Sequence, residues 1–273
     1  MARPRGPNAT VAWLRVKDRP EQVAGAAFLV ASDLAVTCAH VVREHLSLGT
    51  PTPPEPPNAE VTLRFEALGR EISATVATAG WWPDGAGAEL DDIAVLHLDE
   101  PLAELDSAGL ALSQPRPREQ CYVYGAIGDY QGYGQTIYAQ LAAQPHPRGW
   151  HQLNARPGEE SGYFVKRGFS GSAVFDELGN TIWGMVVAVE MEPEKLVAFA
   201  VPAEDLRAAT RKAVDAARRE GQQVSEPKLR PTDPIDTLGR DAVTELIAKL
   251  RQVVAHEPGR KAQVFEELSA LAR

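Results

Sequence analysis

Apolar positions in this chain come in short runs. From about residue 10 to residue 201 they spell TVAWLRV, GAAFLVAS, LAVTC, VTLRF, ISATVAT, IAVLHL, CYVYGAI, TIYAQLAA, GYFVK, SAVF, TIWGMVVAV and LVAFAV, separated by Gly, Pro, Asp and Asn. Many short runs of this kind predict strands packed as a sandwich or barrel, not alternating strand and helix. After Pro202 the period changes. The stretch AEDLRAATRKAVDAARREG predicts a helix over 203–221 that ends at Gly221 and packs back on the strands. Residues 222–234 read as a polar, proline-containing linker. Beyond it Val243, Leu246, Ile247, Leu250, Val253 and Val254 fall at helical spacing, and Val264, Phe265, Leu268 and Leu271 repeat the pattern after Pro258-Gly259. This predicts a helical hairpin over 235–273, too small for a core of its own and therefore expected to dock on something. The run TPTPPEPPN, with Pro51, Pro53, Pro54, Pro56 and Pro57, reads as a stiff extended connector, with an SH3-type ligand as the alternative.

Composition narrows the function classes. The 273 residues are 44% hydrophobic and 24% charged, an ordinary balance for a globular chain, and no apolar run approaches the roughly 18 residues a membrane span needs. The start MARPRGPNATVAWLRV lacks an apolar signal core, so a cytoplasmic location is expected. A formal charge of −9 without Lys/Arg clusters argues against nucleic acid as a partner and leaves peptide or protein. Cys38 and Cys121 are too few for a disulfide framework and lack metal-ligand spacing, so no metal is expected.

Three local patterns carry the candidate chemistry. Ala35-Val36-Thr37-Cys38-Ala39-His40 places a histidine just past a buried strand, Asp91-Asp92-Ile93-Ala94-Val95-Leu96 places an acid before an apolar strand, and Gly168-Phe169-Ser170-Gly171-Ser172 flanks a serine with glycines. Singly, each has a plain structural reading: a histidine at the core's edge, a turn-forming acid, a Gly-Ser turn. Together, in the order His, Asp, Ser, they resemble the T-x-A-H, D-I-A-L and G-x-S-G motifs of the chymotrypsin clan, an order that differs from those of subtilisins and α/β-hydrolases.

The resemblance covers roughly residues 10–205 and is closest to the bacterial HtrA-like and glutamyl-endopeptidase-like branches. Val197-Ala198-Phe199-Ala200-Val201-Pro202 is similar to the F-A-I-P segment that ends the HtrA protease domain, but no PDZ-like β-rich domain follows. The fold implied is all-β, two six-stranded antiparallel barrels of the trypsin-like kind. Barrel 1 would span about 10–105, barrel 2 about 115–202 and the packing helix 203–221, together a protease domain over 1–221. The activity implied is a serine endopeptidase with His40 as general base, Asp92 orienting it, Ser170 as nucleophile and the N–H groups of Gly168 and Ser170 as oxyanion hole, needing no cofactor. Matching the family also places Phe164 and Val165 at the primary pocket and Val187, Ala188 and Val189 on the edge strand that pairs with substrate, which favours a small or apolar residue before the cut. Glu190, Glu192 and Glu194 read as a solvated loop.

The sequence departs from the digestive members at Phe169, where those have an aspartate that pairs with a newly cut N-terminus. Activation by N-terminal cleavage is therefore not expected, and the oxyanion loop is ordered by packing or by a partner. The hairpin over 235–273 faintly resembles helical adaptors of bacterial immune and signalling proteases, which implies an activating or scaffold protein. A catalytically silent binding module and an esterase on the same fold are the alternatives. Trp81-Trp82 reads as a barrel cap or a binding edge, His97 as a barrel residue, His146 and His151 as exposed, and Cys38 as a small buried hydrophobe.

Overall fold

The computed structural model describes residues 7–85, 90–105, 107–126, 134–143, 146, 148–156, 165, 168–189 and 197–231. The chain divides after Arg230, and the fold below is that of the first unit. The predicted hairpin over 235–273, Phe164, and Glu190, Glu192 and Glu194 lie outside the described residues.

In the first barrel β1 (Val11–Val16), β2 (Arg19–Leu29) and β3 (Leu34–Thr37) lead into the short helix α1 (Ala39–His45). They are followed by β4 (Val61–Phe65), β5 (Arg70–Trp82) and β6 (Ile93–Leu98), and the sheet closes in the order β1-β2-β3-β6-β5-β4. β4 shows why: Val61, Leu63 and Phe65 are buried while Thr62 and Arg64 between them are half-exposed, the two-residue period of a strand with one face inward. β6 is buried at every position but His97. Trp81 on β5 donates its indole N–H to Pro53 O (2.9 Å), which docks the proline-rich connector on the barrel.

β7 (Gly109–Ala111) links to the second barrel, made of β8 (Gln120–Ala126), β9 (Gly134–Leu141), β10 (His151–Ala155), β11 (Ala173–Asp176), β12 (Thr181–Val189) and β13 (Val197–Pro202). The order β11-β8-β9-β10-β13-β12 closes through a β11–β12 pairing. The chain is thus two six-stranded antiparallel barrels, as the run lengths and the family resemblance implied.

α2 (Ala203–Arg219) follows β13 directly and touches β5 and β6 of the first barrel as well as β7, β12 and β13. Leu206, Ala209, Ala213, Val214 and Ala217 form its buried stripe. Glu204 and Asp205 in its first turn and Arg218 and Arg219 in its last both suit the helix dipole. Past α2, residues 222–230 are pinned rather than free. Asp33 accepts from Ser225 N–H (3.0 Å), Val30 O accepts from Lys228 N–H (2.9 Å), and β14 (Leu229–Arg230) runs parallel to β7. Gly109 makes room for Arg230, whose Cβ would stand 3.0 Å from any Cβ added there.

Candidate active site

The pairing of β3 with β6 sets Thr37 opposite Ala94, so the residues just past Thr37 and just before Ala94 meet at one end of the first barrel. There α1 presents His40 to Asp92. The His40 backbone N–H donates to Asp92 Oδ1 (3.0 Å) and ring Nδ1 lies 2.6 Å from Oδ2. With Nδ1 carrying the shared proton, Nε2 is left as the acceptor, the tautomer a general base needs. Asp92 is buried, and it adopts a positive φ of 55° that aims its side chain back at α1. Burial opposes charge on the imidazole, but the hydrogen bond and charge of Asp92 outweigh it, so His40 is held above its usual value. Asp91 faces elsewhere: it accepts from Gly85 N–H (2.9 Å) and pairs with Arg148 (3.2 Å).

Ser170 comes from the turn before β11 and is pressed against the first barrel. Ala26 N–H donates to Ser170 O (2.8 Å), Gly171 N–H to Val186 O (2.8 Å) and Val186 N–H to Ser172 O (2.9 Å). Two glycines permit this approach. A Cβ on Gly25 would stand 2.5 Å from Ser170 O and 2.6 Å from Val41 of α1, and one on Gly171 (φ 82°) would run into Ala26 O and stand 2.6 Å from Thr37 Oγ1. Phe169 is buried in the second barrel with its ring over Gly125, so it packs as a core residue beside the Ser170 turn. Gly168 has φ 100°. Among the described residues no hydrogen bond joins Ser170 to the His40 ring, and the N–H groups of Gly168 and Ser170 donate to no protein acceptor.

Val165, expected at the primary pocket, and Val187, expected on the edge strand, are both buried. Val187 occupies a bulge, because Val186 pairs with Ala200 and Ala188 with Phe199, and Val189 then pairs with Ala198. β12 pairs with β11 only as far as Met185, so past it, at Val187–Val189, the edge turned away from β13 has no strand partner among the described residues. Sequence reasoning missed a group built on Phe199 of β13 and the β9–β10 loop. His146 stacks on Trp150 (5.8 Å) and meets Phe199 at a tilt (4.8 Å), and Arg148 lies over Trp150 (5.1 Å) while pairing with Asp91. The density of aromatic and basic residues in PHPRGWHQ was the available signal. His151, also expected in solvent, is half-buried; burial lowers its pKa and a hydrogen bond with the backbone of Trp183 only partly opposes this.

Cys38 Sγ, a His40 ring nitrogen and an Asp92 oxygen lie within 4.8 Å of one another, a possible metal-ligand set. The donors are already committed: Nδ1 and the carboxylate share a proton at 2.6 Å, and burial, aided by the charge of Asp92, keeps the thiol protonated. A proton network describes them better than a metal centre.

Residues 25–185 match the family model of the trypsin-like peptidase domain, and the chain belongs to that family. No curated protein matches it significantly. Among solved structures it is similar to the active form of the Rv3671c protease from M. tuberculosis, with 19% identity, a TM-score of 0.53 and coverage of 76% of this chain and 82% of that one. The inactive form of Rv3671c gives 18% identity and a TM-score of 0.52, covering 76% and 90% of the two chains. Kallikrein-related peptidase 10 in complex with Zn2+ gives 14% and 0.55, covering 79% and 99%. At these identities the likeness establishes the trypsin-like fold alone.

Proposed function

We propose that the chain is a serine endopeptidase that cleaves peptide bonds through an acyl-enzyme intermediate, with His40, Asp92 and Ser170 as its triad. The observation that carries this reading is the double grip of Asp92 on His40, ring and backbone together, on the side of the barrel where the Ser170 turn is pressed in. Ser170 attacks the scissile carbonyl as His40 Nε2 takes its proton, and Asp92 stabilises the imidazolium that forms. The N–H groups of Gly168 and Ser170 receive the developing oxyanion. His40 then returns the proton to the leaving amine, and water repeats the sequence on the ester.

Substrate backbone adds to the free edge of β12 at Val187–Val189, and Phe164 and Val165 shape a pocket for a small or apolar residue. The enzyme is bacterial, of the HtrA-like or glutamyl-endopeptidase-like branch, works in the cytoplasm, and is governed by a protein partner through residues 235–273. Digestion of a mixed peptide library, read by mass spectrometry, tests the reading. New termini in the wild-type digest should fall at least about 1000-fold in yield with Ser170→Ala or His40→Ala. Equal cleavage by wild type and Ser170→Ala would overturn it.

A further inference from the structure

Cys38 occupies the N-cap of α1, where Ser, Thr, Asp or Asn ordinarily turns a side-chain oxygen onto a free helix N–H. Its thiol makes no such bond. It crosses instead to the second barrel and donates to Val186 O at 3.3 Å. That peptide group is already the anchor of the nucleophile turn, since Val186 O accepts from Gly171 N–H and Val186 N–H donates to Ser172 O. On its other side the sulfur lies within 4.8 Å of the His40 ring nitrogen and the Asp92 carboxylate. The residue is wholly buried. Burial chiefly, then the charge of Asp92, pushes the thiol well up, with the N–H of Gly171 opposing, so the sulfur keeps its proton and acts as a neutral donor.

Resting on the triad reading above, we infer that Cys38 is a positioning residue whose S–H tie to the Val186 carbonyl couples the barrel holding His40 and Asp92 to the strand holding the Ser170 turn. The two barrels meet here, and the spacing of His40 and Ser170 depends on how they are held. A mere filler of the same volume would behave differently. For a filler, Val should replace Cys38 better than Ser does, because a hydroxyl in an apolar slot is the poorer fit. For a donor the order reverses, because Ser keeps the bond to Val186 O and Val cannot make it.

The test uses the full chain as wild type, Cys38→Ser, Cys38→Ala and Cys38→Val, each checked for folding by circular dichroism. Ala removes the donor without adding a methyl, which covers the case in which Val does not fold. Two readouts are taken: the rate at which a fluorophosphonate modifies Ser170, and the titration of His40 followed by NMR. Besides Cys38, the charged groups facing His40 are Asp92 at the start of β6, Arg43 on its own helix and Asp84 in the β5–β6 loop, all unchanged in the series. Ser should label within about twofold of wild type, and Ala and Val about 3- to 10-fold more slowly, the factor one hydrogen bond carries. The His40 titration should move downward in Ala and Val, because an S–H aimed at Val186 O turns the negative end of its dipole toward the imidazolium, and stay put in Ser. Val matching wild type while Ser is impaired, or a His40 titration identical in all four proteins, overturns the inference. Absent labelling of wild type would instead count against the triad reading, and the NMR titration would still decide the role of Cys38.

Discussion

Gly171→Ala isolates what holds the nucleophile turn in place. Gly171 has φ 82°, where an L side chain costs about 1–2 kcal/mol. Its new Cβ would also run into Ala26 O, a backbone atom of β2 that already accepts from Thr37 Oγ1 at 2.6 Å and so has little freedom to withdraw. Overpacking of this kind adds about 1–3 kcal/mol, for a total of about 2–5. Gly221 supplies the control: its φ is 79°, but nothing lies within 4 Å of its Cβ position, so Gly221→Ala should cost only the conformational part, about 1–2 kcal/mol. Urea unfolding followed by tryptophan fluorescence gives both values. The Ala26–Ser170 and Gly171–Val186 bonds sit at the collision, so Gly171→Ala should also lose most labelling of Ser170, while Gly221→Ala keeps it. Equal destabilisation by the two substitutions would refute the claim that contact with the first barrel fixes the turn.

Three further outcomes follow from the geometry. Because His40 is raised in the folded state, the stability it gains from Asp92 is complete below its ordinary unfolded value, about 6.5, and fades as pH rises through the folded one. The gap in urea midpoint between wild type and Asp92→Asn should therefore be wider at about pH 5 than at about pH 9; a gap that widens with pH would contradict this. Burial pushes the Cys121 thiol to about 12 and Cys38 is wholly buried, so iodoacetamide near neutral pH should modify neither until urea unfolds the chain. Arg148→Ala breaks an exposed pair with Asp91 and should cost less than about 1 kcal/mol of stability by the same urea assay; a larger loss would mean the β9–β10 loop supports the fold through this pair.

The strands were legible because burial leaves a local trace: β4 alternates, β6 is apolar throughout but for His97, and turn formers separate them. The helix after Pro202 announced itself through its change of period. His40, Asp92 and Ser170 stood out by motif and order, and the meeting of His40 with Asp92 follows from one register, Thr37 opposite Ala94. What stayed hidden is made of backbone groups or pairs distant in sequence. The Val186 peptide, which receives Cys38 and Gly171, has no residue-type signature. Nor does the hold of Asp33 on Ser225, which turns a polar stretch into a pinned strap. His146 looked solvated in its loop until β13 supplied Phe199 as a ring partner.

The most direct test of the account is to treat the folded protein with a fluorophosphonate and map the adduct by mass spectrometry. One adduct on Ser170, absent in Ser170→Ala and strongly reduced in Asp92→Asn, is the predicted result. An unmodified Ser170 in wild-type protein that retains its cooperative urea transition would contradict the claim that His40 and Asp92 activate it.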